Sequence, residues 1–382
     1  MKEWKSRIQA LIDRADDLSD RLRLGVRKVT GFNNPLMILP YLGFGTADKF
    51  LLSGRVLADE GFTPATDADR TWRNLINMYK RFETDEVPGA RIRARFQGQE
   101  REAVTDDEGY FSLELNPVRP LDGGPWQNVE LELLDPPSRN GPPVGASAQV
   151  LVPSIAAKFG TISDVDDTII STNVTNKLKM FLTVILLNEH TRKPFEGVAA
   201  FYRALQKGAS GSENNPIFYI SNSAWNLYTL LVEFLNVQKI PLGPLLLRDF
   251  GDHLLFSKDR ADHKRSNIKR ILETFHQLPF VLIGDSGEQD PEIYREIVRE
   301  YPNRVRVIYI RSINRAPSRL AAIDTLIEEV GHTGSQLVLT PNSEFAAAHA
   351  AAEGLISTGE LSGIRSDTEK DQSAPKQQAL TK

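Results

Sequence analysis

Gly160-Thr161-Ile162-Ser163-Asp164-Val165-Asp166-Asp167-Thr168-Ile169-Ile170 reads as an apolar strand that ends in a burst of carboxylates. Asp is depleted in strands, so a cluster of Asp directly after a β run marks a strand end or loop. In open α/β sheets the carboxyl ends of strands are where ligands bind. Asp164 and Asp166, two residues apart at such an end, can share one divalent cation, because Mg²⁺ takes one or two carboxylates together with substrate phosphate oxygens. Asp carboxylates also act as nucleophiles toward phosphoryl groups. Taken alone, the stretch equally fits a solvated acidic turn, and the rest of the chain must decide.

Downstream, apolar β runs alternate with helical patterns. Strands are expected at Phe159–Ser163, Ile217–Ser221, Leu245–Leu247, Phe280–Gly284 and Val305–Ile310. Helices are expected at Gly197–Gln206, Ala224–Leu235, Lys264–Thr274, Pro291–Tyr301 and Arg319–Val330. Near-continuous apolar strands alternating with helices mean an α/β fold with a mostly parallel sheet covered on both faces. Three further features fall in order on this sheet. Tyr219-Ile220-Ser221-Asn222-Ser223 ends a strand in hydroxyl and amide residues before a helix, where Ser221, Asn222 and backbone N–H groups can hold a phosphate oxygen. Lys264 is expected at a helix start, a position the helix dipole does not favour for a cation. Val281–Asp290 (VLIGDSGEQD) is a second apolar strand ending in Gly and acids, Asp285 and Asp290. Each has an ordinary reading: Ser221 as a helix cap, Lys264 as one surface lysine competing with Lys258 and Lys269, the acids as turn and cap residues. Together, two acidic strand ends, a hydroxyl strand end and an intervening Lys converge on a metal and phosphate site.

The order DxDxT, apolar strand ending in Ser, Lys, GDxxxxD resembles the haloacid dehalogenase superfamily of phosphotransferases. SDVDDTII (163–170), YISNSAWNLY (219–228), LLLRDF (245–250), KRSNIKRIL (264–272) and IGDSGEQDPEIY (283–294) are similar to the catalytic domain of the actin-patch-protein type of phosphatidate phosphatase. YKRFETDEVPGARIRARF (79–96) and TDDEGYF (105–111) also resemble its bacterial relatives, so the likeness covers roughly residues 45–315. The resemblance implies a haloacid-dehalogenase-like Rossmannoid sheet with a small cap insertion. It implies Asp164 as nucleophile, Asp166 as general acid and base, and Mg²⁺ held by Asp164, the Asp166 carbonyl and Asp285, with Asp290 as further ligand or support. Ser221 would bind the transferring phosphoryl, Lys264 would neutralise it, and Thr168 would steady the loop beside the substrate. The implied reaction is hydrolysis of phosphatidate to diacylglycerol. The alternatives are a phosphatase of a soluble phosphomonoester or phosphoprotein, and a non-catalytic membrane- or partner-binding module.

The rest of the chain frames this domain. Trp4, Ile8, Leu11, Ala15, Leu18 and Leu22 give residues 1–30 the spacing of an amphipathic helical leader, whose mixed acidic and basic face favours protein packing over membrane contact. Residues 31–48 read as a connection, with the apolar 36–42 docked elsewhere. Alternating patterns at Lys49–Leu57, Ala90–Phe96, Glu100–Thr105, Tyr110–Leu115, Trp126–Leu134 and Ala146–Val152 predict a β-sandwich-like domain over 45–153, with a helix at Arg70–Phe82. The TDDEGYF turn there resembles transthyretin-like modules in pattern. The catalytic domain is expected over 156–335, and residues 355–382, poor in large apolar side chains, as a disordered tail. The apolar segment Lys177–Leu187, with Lys177, Lys179, Arg192 and Lys193 nearby, suits either a cap facing a phospholipid at a membrane surface or an ordinary core helix; it is too short to span a bilayer.

Composition sets the bounds. The chain has 382 residues, 25% charged and 41% hydrophobic, as expected of two or three globular domains. A net charge of −4 gives no electrostatic case for nucleic-acid binding. The absence of Cys excludes disulfides, thiolate metal sites and a Cys nucleophile. The N-terminus lacks the apolar core of a signal peptide, which points to a cytoplasmic protein, with peripheral membrane contact as an option.

Overall fold

Side chains alternating with period two build the first half of the molecule. In the computed structural model, the described residues are 35–58, 86–121, 124–137, 142–166, 168, 197–248, 257–313 and 316–373. Strands β1 (Leu36–Pro40), β2 (Gly43–Gly45), β3 (Phe50–Ala58), β4 (Arg91–Phe96), β5 (Gln99–Val104), β6 (Tyr110–Leu115), β7 (Trp126–Asp135) and β8 (Gly145–Leu151) join in one hydrogen-bonded sheet. Its order is β1-β3-β2-β8-β7-β4-β5, with β6 on β3, and all pairings are antiparallel except β2 with β8. The inward residues Phe50, Val56, Ile92, Ala94, Phe111, Leu115, Val129 and Val150 make one core. Outward Arg93 and Arg95 pair across the strands with Glu102 and Glu100. Such opposite-charge pairs each contribute roughly 0.2–1 kcal/mol. The acidic turn 106–109 is turn chemistry: Asp106 Oδ1 accepts the Glu108 and Tyr110 N–H groups at 3.0 and 2.8 Å, and Gly109 takes φ +79°.

The second half is a six-stranded parallel sheet in the order β11-β10-β9-β12-β13-β14. Its strands are β9 (Gly160–Asp164), β10 (Ile217–Ala224), β11 (Leu245–Arg248), β12 (Phe280–Asp285), β13 (Val305–Arg311) and β14 (Gln336–Thr340). Helices α1 (Val198–Lys207), α2 (Tyr228–Val237), α3 (Ser257–Thr274), α4 (Asp290–Glu300), α5 (Pro317–Gly331), α6 (Ser343–Ala352) and α7 (Leu361–Ser373) cover it. Buried clusters lie on each face: Phe201, Leu205, Tyr219, Phe234, Val281 and Tyr309 on one, and Ile162, Phe218, Ile268, Leu282, Ile297 and Ile308 on the other. Burial on both faces is why these strands are continuously apolar.

Sheet order explains where the site forms. The chain enters at β9, adds β10 and β11 on one side, then crosses back to β12, β13 and β14 on the other. The order therefore reverses between β9 and β12, and the carboxyl ends flanking such a reversal form a crevice. Asp164 ends β9 and Asp285 ends β12.

Four expectations need correction. Residues 36–40 and 43–45 are strands, not connection: β1 pairs with β3, and Tyr41, between the strands, and Phe44 reach into the two cores of the parallel sheet. Lys264 lies in the middle of α3, which starts at Ser257. The α/β domain does not end at 335, because β14, α6 and α7 extend it. The tail is helical over Leu361–Ser373, with Ile364 and Thr368 buried against α1 and α6. Polar composition hid that helix, since only a narrow stripe of it meets the core. The leader 1–30, the helix at 70–82, the cap segment 177–193 and residues 374–382 lie outside the described residues.

Candidate active site

The acids reach the crevice because their strands are too buried for them to sit anywhere but at the ends. Asp164, Lys264, Asp285 and Asp290 are each at most 2% exposed. Lys264 is delivered by the stripe Lys264, Ile268, Ile271 and Leu272, the sheet-facing side of α3. That stripe is the signal separating it from Lys269, which faces outward and pairs with Glu300 at 2.7 Å.

Lys264 Nζ is the hub. It lies 2.9 Å from Asp164 Oδ1, forms a short ion pair with Asp290 Oδ1, and is 3.5 Å from Glu288 Oε2. Burial alone would lower its pKa, but Asp164 and Asp290 outweigh that and hold it well above the usual lysine value. Lys264 is therefore a fixed cation. Asp290 is held at both oxygens: the second accepts the Asp285 N–H at 3.1 Å. Gly284 makes room for this, because a Cβ there would overlap the Asp290 carboxylate.

Asp285 Oδ1 accepts the N–H groups of Gly287 and Glu288 at 2.6 and 3.1 Å, while Oδ2 is buried without a hydrogen-bond partner. Burial, with Asp290 adding to it, pushes its pKa up to about 7. Asp164 Oδ2 likewise has no hydrogen-bond partner, and burial raises the Asp164 pKa against the pull of Lys264. Orphaned carboxylate oxygens in a buried crevice are costly unless a cation serves them. Carboxylate oxygens of Asp164, Glu288 and Asp290 all lie within 4.8 Å of one another, so this acidic cluster can hold a metal ion.

Beside this cluster, Ser221 Oγ donates to Asp166 Oδ2 at 2.8 Å and accepts the Ser223 N–H at 2.9 Å. Burial raises the Asp166 pKa, and the Ser221 hydrogen bond opposes the rise. Asn222 is half-buried, and its Oδ1 is buried without a partner. Thr168 is buried and lines a small cavity with Tyr202, Ile283 and Arg311, so it faces the β13 side of the crevice rather than Ser221. The structure thus brings Asp164, Lys264, Asp285 and Asp290 into one cluster and sets Asp166 and Ser221 as a second pair.

Sequence reasoning missed two residues. Glu288 joins the acidic cluster; its signal was its position inside the Gly-Asp loop that already carried Asp285 and Asp290. His263, next to Lys264, is hydrogen-bonded by the Asn267 side-chain amide, and burial lowers its pKa. A lone His on a polar stretch gave no such signal. Among the described residues, no helix is long and apolar enough to cross a membrane.

The match to a family model falls on this same half. The family model described as "Phosphatidate phosphatase APP1, catalytic domain" matches residues 159–312. Phosphatidate phosphatase APP1 of Saccharomyces cerevisiae is 31% identical over 168 residues, covering 44% of this chain and 28% of the yeast protein. The uncharacterized protein C29B5.04c of Schizosaccharomyces pombe is 28% identical over 239 residues, covering 62% of this chain and 38% of its own. The chain thus spans about a third of the length of these curated relatives. Among solved structures, a carbohydrate acetylesterase from Xanthomonas citri covers 89% of this chain and 75% of its own at 10% identity, with a TM-score of 0.27, too low to support any conclusion. The segment of the chain that holds the Asp164–Lys264–Asp290 cluster is thus similar to APP1-type phosphatidate phosphatase catalytic domains.

Proposed function

We propose that the protein is a Mg²⁺-dependent phosphatase of the haloacid dehalogenase fold, preceded by a β-sandwich-like module, that hydrolyses phosphatidate to diacylglycerol and phosphate through an aspartyl-phosphate. One observation carries this reading: a buried Asp164 with an unpartnered oxygen stands against the fixed cation Lys264, next to a separate Asp166 whose pKa burial raises. The family match of residues 159–312 supports the substrate class.

The residues fit a hard divalent cation. The donors are all carboxylate oxygens, and the buried Asp285 Oδ2 and Asp164 Oδ2 lack hydrogen-bond partners. Asp164 and Asp285 would hold the ion, with Glu288 alongside; Asp290, engaged at both oxygens, acts mainly as the support of Lys264 and of the Asp285 loop. When bound, the ion neutralises phosphoryl charge and lowers repulsion between an anionic nucleophile and an anionic ester.

In the first half-reaction an Asp164 carboxylate oxygen attacks phosphorus and the P–O bond to the diacylglycerol oxygen breaks. Asp166, whose pKa burial raises, gives a proton to that oxygen. In the second, the Asp166 carboxylate takes a proton from water. The hydroxyl attacks phosphorus, the bond to Asp164 breaks and phosphate leaves. Lys264 and the Ser221 hydroxyl stabilise the phosphoryl oxygens throughout, which is most of what phosphoryl transfer asks of a protein.

The test is phosphate release from phosphatidate in mixed micelles and from soluble phosphomonoesters, with Mg²⁺ or chelator, for the native protein and Asp164→Asn. Release from phosphatidate that needs Mg²⁺ and Asp164 is expected. Turnover of soluble esters alone would sink the lipid assignment, and equal release by the variant would sink the nucleophile.

A further inference from the structure

The β module reaches the catalytic half beside the loop that carries Ser221. Strand β10 runs through Ser221, Asn222 and Ser223 to Ala224, then turns at once into a short 3₁₀ segment, Trp225–Leu227, and helix α2. The residues following Ser223 are seized by the link between β1 and β2. The buried ring of Tyr41 stacks on Trp225 with centroids 4.4 Å apart and planes 16° apart. The same ring lies 4.4 Å from that of Tyr228. The Leu42 N–H donates to Tyr228 Oη at 2.6 Å. Upstream, Phe44 of β2 meets Phe218 of β10 edge-on at 5.6 Å. The module thus grips the chain on both sides of the Ser221–Ser223 turn.

These contacts tie directly to the chemistry. Ser221 Oγ donates to Asp166 Oδ2 while it accepts the Ser223 N–H, and Ser223 is two residues from Trp225. Aromatic pairs add affinity beyond area burial, and a buried N–H needs its acceptor, so the grip is directional as well as apolar. We propose that Tyr41 and Tyr228 are positioning residues, and that the β module forms part of the catalytic apparatus by fixing the loop that orients Ser221 and, through it, the proton donor Asp166. The proposal rests on the phosphatase reading for its kinetic consequence and on geometry alone for the clamp itself.

A leaving group's basicity separates positioning from simple loss of fold. An aliphatic phosphomonoester needs the Asp166 proton; p-nitrophenyl phosphate, with a good leaving group, needs it far less. In the whole chain Tyr41→Ala should lower kcat for the aliphatic ester by about tenfold or more, part of the roughly 10²–10⁴ that general acid catalysis supplies, and p-nitrophenyl phosphate much less. Tyr41→Phe, which keeps the stacked ring, should restore most of the loss. Tyr228→Phe, a gentler change that removes only the acceptor for Leu42, should act in the same direction with smaller size. Equal losses for the two esters, or a change under twofold for both, would overturn the proposal. If the native protein hydrolyses neither these esters nor phosphatidate in mixed micelles, the phosphatase reading fails, and amide hydrogen exchange then decides the clamp. Loss of protection at residues 222–228 in Tyr41→Ala, with β12 unchanged, upholds it; unchanged protection at 222–228 refutes it.

Discussion

Lys264→Met tests the centre of the site most directly. Methionine keeps much of the length and apolar stem of lysine and deletes one charge. The ammonium lies 2.9 Å from Asp164, an attraction of about 6 kcal/mol at an effective dielectric of about 20. Asp290 adds a second close partner. Removing the ammonium also removes its own desolvation cost, so the net loss is far smaller than the summed attraction. Breaking one side of a buried ion pair costs about 3–5 kcal/mol, because the surviving carboxylates are left uncompensated. Urea unfolding at pH 8 in chelator should therefore show a fall of that size with an unchanged m-value. At pH 5 the deficit should shrink, since Asp164 and Asp290 can then take up protons. Activity should fall by about 10²–10³, the loss typical of one preorganised charge-stabilising donor. A stability loss below about 1 kcal/mol at pH 8, small against the usual cost of an orphaned buried charge, would refute the hub. Turnover within tenfold of native in the folded variant would refute the catalytic use of the cation.

Three more outcomes follow from the same geometry. Gly284→Ala should push the Asp290 carboxylate away from both Lys264 and the Asp285 N–H, costing about 1–3 kcal/mol by overpacking and most of the activity; a native-like melt with full activity would contradict it. Asp285 holds its proton to about pH 7 in the fold but to only about pH 4 when unfolded, so between those values the folded state binds more protons. Stability in chelator should thus fall as pH rises through that window, Mg²⁺ should raise Tm more at pH 8 than at pH 5, and Asp285→Asn should flatten the slope; an unaltered slope in that variant would exclude Asp285 as its source. Ile364→Ala, on the C-terminal helix, should cost about 2–4 kcal/mol, as buried truncations do. No shift in the unfolding midpoint would mean that α7 does not pack on α1 and α6 in solution.

The sequence alone determined the chemistry-bearing strand ends. Asp164, Ser221 and Asp285 were legible because a fully buried parallel strand is a continuous apolar run, and the first polar residues after it mark the carboxyl edge. It also determined the β module's strands, whose period-two alternation survives even where Arg and Glu face outward. Strands β1 and β14 and helix α7 were not legible: each is short or polar, and its burial comes from neighbours remote in sequence. Lys264 was named but misplaced on its helix, since only docking against the sheet shows that it shares a stripe with Ile268 and Ile271. The tertiary structure alone decided that Asp290 grips Lys264 at one oxygen and the Asp285 loop at the other, that Glu288 joins the acids, and that Asp166 pairs with Ser221. It alone placed Tyr41 on Trp225, 184 positions along the chain. Local pattern records which face of an element is apolar; which elements meet, and hence which charges must share one buried crevice, follows from the strand order, which no local pattern encodes.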